Sequence, residues 1–446
     1  MTDDTSTSRK KSYVKDPGRV ADLANAIASG ELSPVTLVER YLDRIAEVDG
    51  DVQAWRQVDR DGALSMAKTR EAEAKAGRLR GPLHGIPFGV KDVIDVEGMT
   101  TLCNSRSLAN AAPATADADV VLALRAAGAI PLGKVHTTEF AFFDPSPARN
   151  PHNLNHTPGG SSSGSAAAVA AGTVPIAIGT QTVASVNRPA AYCGIAAFKP
   201  STGSVPGYGI SPLAPSFDTA GFYGYTVEDA ITVYEALQPQ FLEREPASAE
   251  TGPISIILLE DPHFEDAIAE MRDAQERLAK AVAAAGYDVA RRKSPISIAR
   301  LFELQRSMML YEAGRTLRSL LDKPSGTVGP RLLAAIGQGR AMSLDQYLAA
   351  REESGRMRAA LLDAIGDGAA LLPAAPGGAP EGLASTGDPR YIAPWTAVGG
   401  PIVTIPAGTT RGGLPIGCIL ASRPGSDERM CRRARRLAPV FRAAIA

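Results

Sequence analysis

Between residues 81 and 199 the chain alternates short apolar stretches, broken by Gly and Pro, with short helix-compatible runs. Apolar pieces fall at 81–96, 129–132, 175–179 and 195–199, and helix-like pieces at 119–127 and 166–171 lie between them. Strands interleaved with helices bury a sheet under helical layers, so this order confines the chain to an α/β architecture. The pattern resumes after residue 251: 254–259 and 287–290 read as strands, 264–285, 298–321 and 344–365 as helices, and strand signals return at 370–372 and 402–406. Near the start, Ser33 and Pro34 give an N-cap and first turn, and Val35, Val38, Leu42 and Ile45 recur on one face of the helix that follows.

At 446 residues the chain has room for two or three domains, or for one large α/β domain. Residues 1–16, mostly polar, are expected to form a disordered tail. The arginine-rich segment 427–446 reads as an amphipathic helix with a solvated basic face, kinked or broken at Pro439. With 47 Lys and Arg against 48 Asp and Glu the net charge is -1, which leaves no electrostatic case for a nucleic-acid or anionic-membrane partner. A small molecule is the expected partner. No apolar run reaches the roughly 18 residues of a membrane span, and the N-terminus lacks a signal-peptide core. Cys103, Cys193, Cys418 and Cys431 are far apart and form no C-x-x-C pair, so neither a zinc site nor a disulfide scaffold is indicated. A cytoplasmic protein is expected.

Three stretches can carry chemistry. Gly159 to Ser165 is a Gly-Ser loop that runs into the small-residue stretch Ala166 to Ala171, which places free N–H groups and hydroxyls at a helix start. It is not a phosphate-binding Walker loop, because no Lys follows Gly164. The same loop matches G-x-S-x-G with Ser162 as an elbow nucleophile, which requires a later histidine; only His263 follows. Lys91 lies on an apolar stretch, where it is either an edge lysine solvated beside Asp92 or a desolvated, neutral amine able to act as a base. Ser185 lies in the segment 179–190, after an apolar strand and ahead of a turn. His152 and His156 have the spacing of a helical metal pair, but Pro151 and Pro158 oppose a helix, so no metal site is expected.

Taken together these stretches resemble the amidase signature family. The resemblance rests on Gly81-Pro82-Leu83-His84-Gly85-Ile86-Pro87, Lys91-Asp92, the 159–165 loop, Ser185 with Arg188-Pro189-Ala190, and Phe198-Lys199-Pro200. Ser161 and Ser185 are 24 residues apart, the family's spacing. The likeness extends from about Ser33 to Gly425 and is densest between Gly81 and Gly221. It implies one large α/β domain over 17–446, a mixed sheet sandwiched by helices, with 251–365 as a peripheral helical region. It further implies Ser185 as nucleophile, Ser161 as a bridging serine with a cis peptide bond, and Lys91 as base. Backbone N–H groups of Thr182, Val183, Ala184 and Ser185 would form the oxyanion hole, with no metal or organic cofactor required.

The sequence departs from the family at Gln181, where Asp is usual, and at Val183-Ala184, where glycines are usual. Glycine there would allow positive φ and close substrate approach. The departure implies either a reshaped oxyanion loop with altered substrate choice or weakened catalysis, and retention of Lys91, Ser161 and Ser185 favours the first. Phe140, Phe142, Phe143 and Gln181 are the candidates for substrate contact, pointing to a small apolar or aryl amide or an aryl carbamate; for the three phenylalanines core packing is an equally good reading. A non-catalytic or transamidating relative and a Ser162 esterase remain as alternatives, and a homodimer is compatible with the sequence.

Overall fold

The computed structural model describes residues 12–237 and 254–445. Among them eleven strands form one mixed sheet: β1 (Trp55–Val58), β2 (Pro87–Lys91), β3 (Ile130–Val135), β4 (Ile176–Gln181), β5 (Ala196–Lys199), β6 (Thr219–Gly224), β7 (Ser255–Glu260), β8 (Asp288–Lys293), β9 (Ala369–Pro373), β10 (Ile402–Thr409) and β11 (Pro415–Ala421). Their order is β1-β3-β2-β4-β6-β5-β10-β11-β9-β7-β8. The parallel set β3-β2-β4 and the parallel set β9-β7-β8 flank an antiparallel centre. Every residue of β2, β3 and β4 is buried, Lys91, Lys134, Thr180 and Gln181 included, as their mostly apolar character requires of strands covered on both faces. The expected α/β fold, a large mixed sheet with helical layers, is the one observed.

The Gly-Ser loop feeds the helix Ser163–Ala170, all eight residues of which are buried. Small side chains let this helix lie almost flush on the sheet. A Cβ added to Gly164 would fall 2.4 Å from the Ala54 carbonyl oxygen, and one added to Gly179 of β4 would fall 2.6 Å from Ser162 Oγ. Glycine at both faces is therefore what brings the loop down onto the strand ends. The helix Pro34–Val52 begins as expected, with Ser33 Oγ accepting from the N–H groups of Val35 (3.0 Å) and Thr36 (3.4 Å), and Leu37, Val38, Tyr41, Leu42 and Ile45 buried beneath it.

Three expectations are corrected. Of the expected tail, residues 1–11 lie outside the described residues, and residues 12–16 are held on the body. Arg44 donates to the carbonyls of Ser12 and Tyr13, and the Lys15 N–H donates to Ala170 O at 3.2 Å. The C-terminal helix Asp427–Ile445 runs through Pro439 unbroken. Burial of Met430, Ala434, Leu437 and Phe441 offsets the lost backbone bond, and its arginines pair with carboxylates, as in Arg435–Glu235 and Arg429–Asp367. Thirdly, 254–365 is more than peripheral: it supplies β7 and β8 to the sheet, and its helices Ile298–Thr316 and Pro330–Ala341 reach the pocket described below.

The helix Pro330–Ala341 escapes a reading of local signals because its caps come from far away. Glu139 accepts the Gly329 N–H (2.6 Å) and Asp144 accepts the Leu332 N–H (2.8 Å), so one aromatic-bearing loop is tied to one distant helix start. No helix among the described residues is long and apolar enough to cross a membrane.

Candidate active site

β2 delivers Lys91 to the sheet interior, where its side chain is 0% exposed. Its Nζ donates to Ser161 Oγ (2.8 Å), Thr180 Oγ1 (2.8 Å) and the Thr180 carbonyl (3.4 Å). Burial pushes the amine down to about 7, opposed by the more distant Asp218 and Cys103. The neighbouring Asp92 does not rescue the charge. It is committed elsewhere, to Arg56 at 2.8 Å and Lys134 at 3.1 Å, as the alternation of side chains along an extended chain dictates. Lys91 is therefore the desolvated amine and not the solvated edge residue.

Ser161 follows a cis peptide bond from Gly160. Its carbonyl accepts from the N–H groups of Thr138 (3.0 Å) and Ser163 (2.8 Å), while Arg188 donates to the Gly160 carbonyl at 2.8 Å and to Thr386 Oγ1 at 2.9 Å. Ser185, 7% exposed, precedes the helix Asn187–Tyr192. Ser161 and Ser185 line one narrow cavity together with Arg188, Val183 and Phe142. Among the described residues no hydrogen bond joins the two serine hydroxyls.

The loop 182–185 is suspended by its carbonyls. Thr182 O accepts from Gln305 Nε2 (2.9 Å), Val183 O from Thr396 Oγ1 (2.6 Å), Ala184 O from the Arg188 N–H (3.0 Å) and Ser185 O from Tyr223 OH (3.0 Å). The N–H groups of these same four residues have no acceptor among the described residues. A peptide plane whose oxygen is pinned into the fold turns its N–H the other way, so the loop offers donors rather than acceptors. None of the four residues has positive φ. The conformation thus makes no demand for glycine, and Val183-Ala184 sit in it without strain.

Gln181 takes a different place from the one expected. Its Oε1 accepts the N–H groups of Val186 (2.8 Å) and Asn187 (3.1 Å) and its Nε2 donates to Thr396 Oγ1 (3.0 Å), so the whole amide is spent holding the loop and none of it reaches substrate. Phe140 is likewise turned away: it is buried in the core at φ 45°, and Phe142 and Phe143 are the aromatic residues that line the cavity. Those two meet edge to face at 4.8 Å. Beyond the narrow part lies an outer cavity of about 590 Å³, walled by Phe142, Phe143, Phe302, Met309 and Leu310, with Arg306, Arg331 and Gln338 also on its lining.

The elbow reading of Ser162 finds no geometry. Its hydroxyl is buried and closed on the β4 backbone, donating to the Thr180 carbonyl (3.2 Å) and accepting the Thr180 N–H (3.3 Å). His263 is paired with the Arg390 carbonyl at 2.9 Å. Ser162→Ala is accordingly expected to lower stability by about 1–2 kcal/mol, seen as a lower denaturation midpoint, without abolishing turnover. Loss of all turnover in folded protein would restore the elbow. His152 and His156 lie in a loop and meet separate carbonyls, those of Cys193 and Ala379. No cluster of metal-ligating side chains occurs among the described residues.

The anchors Gln305, Thr396 and Tyr223 were not foreseen from the sequence. Thr396 and Tyr223 lie in apolar stretches and Gln305 among other polar residues of its helix, weak signals that acquire meaning only when the fold brings these side chains to the loop.

The sheet and the pocket at its strand ends define an α/β protein with a buried lysine–serine pair. Solved structures superimpose over nearly the whole chain. A peptide amidase from Stenotrophomonas maltophilia is 30% identical with a TM-score of 0.80, covering 95% of this chain and 97% of that one. A further amidase is 28% identical with a TM-score of 0.85, covering 96% and 100%. The Amidase family model matches residues 36–431, and the chain belongs to that family, the amidase signature enzymes. Among curated relatives, a glutamyl-tRNA(Gln) amidotransferase subunit from Roseiflexus castenholzii is 44% identical over 224 residues, 49% of this chain and 45% of that protein. Its counterpart in Acidothermus cellulolyticus is 44% identical over 222 residues, 48% and 44%. The matched part spans about half the length of these relatives.

Proposed function

We propose that this chain is an amidase that hydrolyses the C–N bond of a small, apolar or aryl amide or carbamate, with Ser185 as nucleophile, Ser161 as relay and Lys91 as base. The observation that carries the reading is the 2.8 Å contact from the buried Lys91 Nζ to Ser161 Oγ, in the cavity that Ser185 also lines. A serine hydroxyl attacks poorly until its proton is removed, and an amine held at about 7 is half in its free-base form at neutral pH. Ser185 Oγ passes its proton to Ser161 Oγ as Ser161 passes its own to Lys91 Nζ, and the freed oxygen bonds to the substrate carbonyl carbon. Negative charge then builds on the carbonyl oxygen, facing the N–H groups of the 182–185 loop, which are already oriented and need no reorganisation. Return of the proton through Ser161 to the departing nitrogen breaks the C–N bond, and water releases the acid from the acyl-serine by the same steps.

The walls of the outer cavity support an apolar or aryl group in the substrate. A panel of anilides, aryl carbamates and primary amides tests this. Release of aromatic amine is expected to exceed release of ammonia from small primary amides by at least about tenfold in kcat/KM, since one buried aryl group contributes that much or more. Equal or inverted rates would sink the aryl preference.

A second reading, acyl or ammonia transfer to an acceptor, is favoured by the names of the curated relatives. Adding an acceptor amine to the same assays separates the two. Product that remains free acid supports hydrolysis, and product captured by the amine supports transfer.

A further inference from the structure

The helix Ile298–Thr316 carries Gln305 into the wall of the outer cavity, where the side chain is 0% exposed. Its Nε2 donates to the Thr182 carbonyl at 2.9 Å. That bond fixes the orientation of the amide, because a carbonyl accepts only from the NH₂ end. The other end, Oε1, is buried and has no hydrogen-bond partner. A buried acceptor without a donor is unfavourable, and native folds rarely keep one without a reason. The cavity is lined by Val183, Phe302 and Met309, and the side-chain donors that also line it, Arg306, Arg331, Gln338 and Ser385, make no hydrogen bond to this oxygen. A donor carried by whatever fills the cavity would complete it.

We infer that Gln305 Oε1 accepts a hydrogen bond from an N–H or O–H carried by the substrate, so that the enzyme selects apolar amides bearing a second donor away from the scissile bond. The inference rests on the hydrolase reading above. It places the donor in the outer cavity because Gln305 lines that cavity and does not line the narrow one that holds Ser161 and Ser185. One side chain then has two tasks: its NH₂ end positions the oxyanion loop through Thr182, and its oxygen recognises substrate. A site built around a substrate donor discriminates strongly against an analogue that lacks it, since the analogue leaves the acceptor desolvated and unpaired.

The test separates these two tasks. Acetanilides carrying hydroxyl, amino or methoxy groups at each ring position are compared for kcat/KM and as competitors of fluorophosphonate labelling of Ser185, so that compounds which bind without turnover are still scored. Wild-type protein is expected to prefer one hydroxy or amino isomer over its methoxy counterpart by about tenfold or more. Gln305→Met should slow or weaken all compounds, because the loop loses an anchor, and should reduce that preference to within about twofold. Denaturation midpoints of wild type and Gln305→Met, measured beside the rates, guard against misfolding of the methionine variant as the explanation. Absence of any donor preference in wild-type protein, or its persistence in Gln305→Met, overturns the inference while leaving the hydrolase reading intact. Failure of the probe to label folded wild-type protein at Ser185 overturns the hydrolase reading itself.

Discussion

Ser185→Ala is expected to lower kcat/KM by on the order of 10⁴-fold and to abolish fluorophosphonate labelling while leaving stability almost unchanged. The two halves of this expectation have separate causes. Activity falls because the other hydroxyls of the narrow cavity are engaged, Ser161 with Lys91 and Thr386 with Arg188, and Ser162, outside it, is closed on the Thr180 backbone. Stability holds because Ser185 Oγ makes no hydrogen bond among the described residues, so its removal strands no partner and should cost less than about 0.5 kcal/mol. Titration with denaturant beside a turnover assay checks both at once. Full turnover in the variant would remove Ser185 from the mechanism, and a loss of several kcal/mol would show that its hydroxyl has a structural partner.

Lys91 gives the second large effect, and pH is its readout. The neutral amine is the working form, so kcat/KM should rise tenfold per pH unit below about 7 and level off above it. Lys91→Met, similar in length and uncharged, should lower the plateau by about 10³-fold or more and erase the inflection. Stability moves in a predictable direction as well. The unfolded amine, with its ordinary value of 10.5, keeps its proton between about 7 and 10.5, whereas the folded one has released it. The unfolded state therefore binds more protons in that window, and stability gains from Lys91 as pH rises through it. Below about 7 both states are protonated and the gain is absent. Lys199, also buried and also pushed down to about 7, acts in the same window, so the comparison has to be wild type minus Lys91→Met rather than wild type alone. A pH–rate profile that is flat from 5 to 9 would exclude Lys91 as the base.

Much of the site was legible because its parts lie in short, dense motifs. Lys91 and the Gly-Ser loop announce themselves locally, and their meeting at Ser161 needs only the parallel pairing of β2 with β4. Helix Leu344–Ile365 has the bounds expected for it, and its start is closed by a capping box of Ser343 and Gln346. Gln181 shows where such reading stops. A polar residue at a strand exit looks the same whether its amide turns toward substrate or toward the backbone of Val186 and Asn187, and only the long-range position of Thr396 decides between them. At Val183-Ala184 the sequence shows what glycine would permit and these side chains restrict, but the conformation itself is set by distant anchors and contains no positive φ. Strands β6 and β11 were passed over because their signals are short and rich in glycine, and it is pairing with β4 and β10 that makes them strands.

The four anchors of the 182–185 loop come from separate parts of the chain. Lys91, Ser161 and Ser185 all lie between residues 91 and 185, whereas the walls of the outer cavity come mostly from residues 302–338 and 384–389. On the proposed mechanism chemistry and substrate choice therefore lie mostly on separate stretches of chain, and mutation can remodel the second while the first stands still. Gln305 joins the two, being both wall and anchor. If Gln305 both anchors the loop and meets substrate, a lineage drifting toward a new substrate could change Phe302 or Leu310 at little cost in rate, whereas each change at Gln305 would alter binding and turnover together and set selection for a new substrate against selection for speed.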